Sequence, residues 1–344
     1  MNGLGIVGVG SYLPGEPVST ESIFGDQIPA MANSPILRPP RLRHQIGRGL
    51  HASKMIVRAA QPLFEMLGDV PPIDTILNNV LLPDHPITGS GSEVAAELGL
   101  SPTTILDVHN GGCASFPMML DLADRLLGPT GTALVCNVQN TAGKVYSQST
   151  VRLRRHAVAA GDGCGVTLLQ RHMGAEVLGT VVHHDPVASD DMGYALDDGR
   201  LYWEPGQAEI DISFDGDRLQ VILERGNAAV PRAVRAACDH VGVAVDDLRL
   251  LITNQPNRLY LRNWREGLGI SPERHADSFD QLGNLYGAAA PINLGRAARS
   301  GRLEAGDLIA VAGFGHAGDM TAASVVRWRA DVVATEVSDA QQPA

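Results

Sequence analysis

The sequence predicts an α/β protein, a parallel or mixed sheet covered by helices and built from one unit used twice. Three observations predict it. Short apolar β-like runs alternate with longer segments of helical period along the whole chain. One stretch, Ile105 to Leu127, reads as strand, glycine turn, cysteine and helix. The same order returns late in the chain. GGCASFPMMLDLADRLLGPTGTALVCNV and GNLYGAAAPINLGRAARSGRLEAGDLIAVAGF both pass from a small-residue turn to a helix, a glycine turn and an apolar strand.

The elements follow in order. Leu4 to Val9 reads as a first strand, closed by Gly10-Ser11-Tyr12-Leu13-Pro14. From Glu16 to Arg48 the chain is rich in Pro, Gly, Ser and Arg and has no clean period, so a long surface excursion is expected, the kind of loop that often carries function. Ala52 to Leu67 is an amphipathic helix and Thr75 to Leu82 a strand; Ser90 to Leu98 is a helix with Ser92 as its cap. After the cysteine unit, Thr132 to Asn137 is a strand. Gly161-Asp162-Gly163 is a turn before the strand Val166 to Leu169. The polar stretch from residue 334 to 344 is expected to be a disordered tail.

Composition narrows the function classes. A chain of 344 residues, 44% hydrophobic and 19% charged, is long enough for two domains or one duplicated unit. Its net charge of -11 argues against a nucleic-acid or anionic-membrane surface. Cys113, Cys136, Cys164 and Cys238 have no CxxC or metal-like spacing, which suggests a reducing cytoplasm. No apolar run is long enough to span a bilayer, and no basic region precedes the N-terminal apolar residues, so no signal peptide is expected. Gly8-Val9-Gly10 falls short of a dinucleotide fingerprint, and no nicotinamide or flavin is implied. His183-His184-Asp185 looks like a metal cluster, but neighbours on a strand face opposite ways, so no metal is assigned.

Cys113 is the candidate nucleophile. A cysteine at a helix N-terminus meets free backbone N–H groups and the positive end of the helix dipole, and both favour thiolate. Asn110-Gly111-Gly112 before it allows close backbone approach to a substrate. The alternative is a small buried cysteine, common for this residue type.

Seven segments in the same order resemble the β-ketoacyl-acyl-carrier-protein synthase III family of the thiolase superfamily. They are GIVGVGSYLP at the start, RPPRLRH from Arg38, DVHNGGCASF around Cys113, GDGCGVTLL from Gly161, TNQPN from Thr253, LGNLYGAAAPINL from Leu282 and GFGHAGD from Gly313. The resemblance runs to about Trp328. It implies a duplicated thiolase-like αβαβα fold, two mixed sheets with buried helices between them, and a homodimer. Residues 1–172 would form the half with the nucleophile. Residues 173–333 would form the half with the asparagine and oxyanion-hole loops. It also implies ping-pong acyl transfer from a CoA or phosphopantetheine thioester, with no bound cofactor.

By position, Cys113 matches the family's nucleophile and Asn284 its asparagine, whereas Asn254 stands where the family has its histidine. An asparagine amide can donate to a thioester oxygen but cannot exchange a proton near neutral pH. The backbone N–H groups of Cys113 and His316 inherit the oxyanion hole. His316, oriented by Asp319, is the candidate replacement base, and His109 is read as a structural residue at a strand end. Arg258, Arg262 and Arg265 line one helix face, a basic patch for an acidic carrier protein that Arg152, Arg154 and Arg155 extend. A solvated arginine face is the alternative. Arg38 is assigned to a pantetheine or nucleotide phosphate. The family's adenine-stacking tryptophan has no counterpart near Ser34, which favours a carrier-protein donor. Residues Pro86 to Ser90 are expected near the dimer contact and set pocket size.

The leading reading is an acyltransferase in specialised metabolism. It moves an acyl group through Cys113 to a small-molecule acceptor, because such transfer needs an acyl-cysteine and an oxyanion hole but no carbanion. A condensing synthase that works without the histidine is the alternative. A non-catalytic partner subunit of an active homologue is a third.

Overall fold

The computed structural model describes residues 3–27, 34, 38–189, 191–201, 204–214 and 218–339. Among these, ten strands join in one sheet. They are β1 (Leu4–Leu13), β2 (Thr75–Val80), β3 (Thr104–Asp107), β4 (Thr132–Gln139), β5 (Gly163–Arg171), β6 (Ala175–His184), β7 (Leu248–Thr253), β8 (Leu308–Gly315), β9 (Met320–Arg327) and β10 (Val333–Ser338). The spatial order is β7-β8-β9-β6-β1-β5-β4-β2-β3, with β10 beside β1. Six helices matter to the layering. They are α1 (Ala52–Leu67), α2 (Gly91–Glu97), α3 (Ser115–Leu126), α4 (Leu219–Val241), α5 (Arg258–Leu268) and α6 (Ala289–Arg299).

The two ends of the sheet repeat one pattern. β2 and β4 are parallel, and β4–β5 and β5–β1 antiparallel. On the other side β7 and β8 are parallel, and β8–β9 and β9–β6 antiparallel. The expected two sheets are continuous through a junction of two residue pairs, Gly5 opposite Glu176 and Ile6 opposite Ala175.

Three apolar layers hold this together. α1, with Met55, Ile56, Ala59 and Leu63 fully buried, packs with Val94 of α2 on the outer face of β2, β4 and β5. α3 and α6 lie between the two halves of the sheet. Phe116, Met119, Leu120 and Ala123 from one, and Ala290, Leu294 and Ala297 from the other, meet Leu77, Val135, Ile252 and Val311. α4 and α5 cover the far side of β7, β8 and β9 with Val230, Val234, Leu261 and Trp264. Burying each large apolar side chain contributes about 1.5–3 kcal/mol over leaving it in water. Gly8-Val9-Gly10 has a packing role. A Cβ on Gly10 would sit 2.3 Å from the Ala59 carbonyl oxygen and one on Gly8 2.8 Å from a Leu63 methyl, so α1 reaches β1 only over glycine.

Several expectations change. β1, β4 and β5 run longer than their apolar cores suggest, because antiparallel partners pair the polar ends as well. Ser92 lies inside α2; its N-cap is Ser90, and the carboxylate of Asp107 takes the Ser90 and Gly91 N–H groups. The tail expected to be disordered from residue 334 is instead strand through Ser338. It runs parallel to β1 from Gly8↔Val333 to Leu13↔Ser338. The edge of β1 beyond its short junction with β6 needs a partner, and this strand supplies one despite its polar composition. Asp339 then accepts from the Tyr12 hydroxyl and pairs with Arg58. Residues 340–344 of that tail lie outside the described residues.

Candidate active site

The cysteine elbow is bent by one glycine. After β3 ends at Asp107, His109–Ala114 form a tight 3-10 turn, broken at Gly112 by φ 47° and ψ -135°, a conformation that residues with a Cβ rarely adopt. α3 then starts at Ser115, with Ala114 at its N-cap. Cys113 is half-buried one residue ahead of that cap. Below it, the Asn137 amide of β4 donates to the Ser115 hydroxyl at 2.7 Å, and Asn79 of β2 donates to the Val108 carbonyl at 2.6 Å.

Two strands of the other half bring the partners. β7 and β8 run parallel, with Thr253 opposite Ala312, so both end at the same edge of the sheet. Asn254 follows β7 and has no solvent exposure. Its Oδ1 accepts from the Phe314 N–H at 3.1 Å. That occupies the oxygen and fixes which end of the amide is the donor. The Nδ2 end donates to the Phe314 carbonyl at 3.5 Å and faces the Cys113 sulfur, whose pKa it lowers. Gly313 lets β8 come this close, since a Cβ there would lie 2.5 Å from the Cys113 carbonyl oxygen.

β8 ends in a turn with unusual backbone. His316 has φ 41°, Ala317 φ 59° and Gly318 φ 115°. The His316 Nδ1 lies 3.0 Å from Asp319 Oδ1, which leaves Nε2 free to face the elbow. A Cβ built on Gly112 would be 2.5 Å from that Nε2. The imidazole therefore rests on the bare α-carbon of the residue before Cys113.

The Cys113 thiol is not the low-pKa group expected of a helix N-terminus. Burial pushes it up to about 12, and the Asn254 hydrogen bond pulls the other way. Cys113 also lies ahead of the N-cap Ala114, outside the first turn of α3 where the helix end acts most strongly. Thiolate content falls about tenfold for each pH unit below the pKa. Alkylation of Cys113 by iodoacetamide in the free protein is expected to rise about tenfold per unit between about pH 7 and 10 with no plateau. Rates read by intact mass test this; a plateau below about pH 8 contradicts it.

The other expected residues are placed differently. The Asn284 Oδ1 turns back to accept from the Tyr286 N–H at 3.0 Å, and its backbone pairs with Ala159 and Gly161. That loop still reaches the elbow, because a Cβ on Gly287 would lie 2.6 Å from the Gly112 carbonyl oxygen. Beside it the Tyr286 and Tyr146 hydroxyls meet at 2.9 Å, a pair the sequence did not signal. His109 is exposed, with Nδ1 3.3 Å from the Val80 carbonyl oxygen. Arg258 is engaged inside the fold. It donates to the Arg38 and Pro39 carbonyls, pairs with Asp280 and stacks over Phe279. Arg262 is exposed 3.9 Å from Glu266, and Arg265 is half-buried. Arg152 donates to the Ile23 carbonyl and Arg154 lies 3.7 Å from Asp211, while the Arg155 side chain lies outside the description. Arg38 is exposed; the buried arginine of its segment is Arg43, which donates to the carbonyls of Ala157, Val158 and Ala160. Among the described residues no group of three His, Cys, Asp or Glu could hold a metal, and no helix is long and apolar enough to cross a membrane.

The chain is similar to known proteins over most of its length. Residues 238–328 match the family described as 3-oxoacyl-[acyl-carrier-protein (ACP)] synthase III C terminal. The chain is 27% identical over 339 residues to the β-ketoacyl-[acyl-carrier-protein] synthase III of Microcystis aeruginosa, covering 95% of this chain and 99% of the relative. It is 28% identical over 276 residues to that of Synechocystis, covering 79% and 82%. The crystal structure of β-ketoacyl-[acyl carrier protein] synthase III from Thermus thermophilus superposes with a TM-score of 0.80 at 23% identity, covering 95% and 99%. Cerulenin-bound OleA from Xanthomonas campestris superposes at 0.78 with 21% identity, covering 94% and 97%. Both of these share the fold.

Proposed function

For a chain that is a β-ketoacyl-acyl-carrier-protein synthase III-like protein of the thiolase superfamily, we propose the activity of an acyltransferase working through an acyl-cysteine. The site would form between the halves 1–172 and 173–333. The observation that carries the reading is the pairing of a non-titrating Asn254 on the Cys113 sulfur with a His316–Asp319 pair set on Gly112. A proton acceptor and a hydrogen-bond donor for acyl transfer are then at hand, with an asparagine where the resembled family has its histidine.

The Cys113 sulfur attacks the carbonyl carbon of an acyl thioester, and its proton passes to the His316 Nε2. Asp319 on Nδ1 holds the imidazole and stabilises its charged form. The tetrahedral oxyanion is met by the backbone N–H groups of Cys113 and His316. The carbon–sulfur bond to the donor breaks, the imidazolium proton goes to the departing thiolate, and acyl-Cys113 remains. The acceptor then loses its proton to His316 as it attacks the acyl carbon, and the Cys113 thiol is regenerated. Asn254 stabilises the sulfur when it carries charge, on entry and on exit. The donor is a CoA or phosphopantetheine thioester, and exposed Arg262 with Arg265 is the remaining basic face for an acidic carrier protein. A homodimer fits the 97% exposed Ile87 in the Pro86 to Ser90 loop.

Incubation with acyl-CoA and acyl-carrier-protein donors is expected to add one acyl mass, located on Cys113 by peptide mapping and absent in Cys113→Ala. No adduct from either class of donor removes the reading. The names of the full-length relatives favour a condensing synthase as the second reading. Release of carbon dioxide from a malonyl thioester, dependent on acyl-Cys113, would select it.

A further inference from the structure

The turn that carries His316 is held from outside the elbow by a buried ion cluster. Arg225 on α4 donates through Nη1 to the Ala317 carbonyl at 3.1 Å and to Asp191 Oδ2 at 2.6 Å. Asp191 has no exposure, and its other oxygen lies 2.6 Å from Arg218 Nη1. The Arg225 stem is packed into the turn itself, since a Cβ on Gly318 would lie 2.3 Å from Arg225 Cδ. A second tie, the Asp185 N–H to the Asp319 carbonyl at 2.7 Å, fixes the far end.

These contacts address a specific need. His316 and Ala317 both sit at positive φ without being glycine, a backbone state that persists only where surroundings enforce it. Arg225 caps the one carbonyl between them and Gly318, and the buried carboxylate of Asp191 fixes the guanidinium in place. The side chain is 14% exposed and points to the turn, with its charge spent on Asp191.

We propose that Arg225, fixed by Asp191, is a positioning residue that sets the His316 turn, and so places the imidazole over Gly112. The proposal rests on the acyl-transfer reading for its catalytic consequence, though the placement itself does not. Arg225 touches neither substrate nor sulfur. It acts through the turn, and its loss acts on rate more than on donor binding.

The test compares single-turnover acylation of Cys113 in wild type, R225M, R225K, D191N, H316A and R225M/H316A. R225M is expected to acylate about 50-fold more slowly at saturating donor, with the donor KM changed less than about threefold. The limb of its pH–rate profile governed by His316 should shift or vanish. R225K, which keeps the charge, should recover at least about tenfold of the loss. D191N should follow R225M. The double variant should be no slower than H316A, because both act on one group. Losses that multiply in the double variant, or a wild-type rate in R225M, overturn the proposal. If R225M does not fold, R225K and D191N carry the same comparison. If wild type yields no acyl-Cys113, the acyl-transfer reading fails alone. The imidazole nitrogen resonances of His316 then decide the placement, moving in R225M and D191N and less in R225K if it holds, and unchanged in all three if it does not.

Discussion

Gly112→Ala is expected to lower Cys113 acylation by at least about 100-fold while leaving the fold intact, because it displaces the group that moves the proton. Two effects coincide at this position. The backbone there, φ 47° and ψ -135°, costs about 1–3 kcal/mol for a residue with a Cβ. The new methyl would also lie 2.5, 2.9 and 3.0 Å from three atoms of the His316 ring. The ring cannot slide along its own plane, since Nδ1 is tied to Asp319. Either the imidazole rotates away or the turn opens, and both separate base from nucleophile. Gly128→Ala is the control, with open space around its α-carbon beyond the far end of α3. Single-turnover acylation with a thermal melt of each variant checks the prediction. A G112A rate within about threefold of wild type would show that His316 has no part in the transfer.

Asn254→Leu is expected to be the most damaging change outside the elbow, for stability and chemistry together. It leaves the buried Phe314 N–H without its acceptor, at about 1–3 kcal/mol, and strips the Cys113 sulfur of its hydrogen bond. Asn254→Asp separates the two. The carboxylate still accepts from Phe314, so the melt recovers in part, but it places negative charge against the sulfur and drives the thiol further up. Alkylation of Cys113 should therefore be slower in N254D than in N254L, although N254D is the more stable protein. The reverse order of alkylation rates would mean that Asn254 does not face the sulfur. Both variants should fall at least about tenfold below wild type in acylation.

The elbow was legible because its signals are local. Glycine pair, cysteine and a helical period from Phe116 lie within one short stretch, and alternation of runs along the chain carried the layered fold with it. The thiol's high pKa was not legible, since it comes from burial in the fold, where a strand about 200 residues away closes on the elbow. Arg258 had the right spacing for a docking face, but spacing does not disclose that Asp280 and the Arg38–Pro39 carbonyls already occupy its guanidinium. The cluster at Arg225 left no trace either. Asp191, Arg225 and Ala317 belong to three separate segments, and only the packed turn between them gives the charges a purpose. Polar composition concealed the strand after Val333 for a related reason, as its order is conferred by the open edge of β1.

That strand also bears on how the chain folds. Ser11 of β1 bonds across to Thr335, 324 residues later. Closing so long a loop adds only modestly to the entropic cost, but contacts of this separation slow folding and come late. Until β10 arrives, the stretch Gly8–Leu13 presents unpaired backbone along one side. A nascent chain halted before Val333 would expose that row as a template for a second molecule, so the final residues of the sheet act as a guard against aggregation as well as a part of the native architecture.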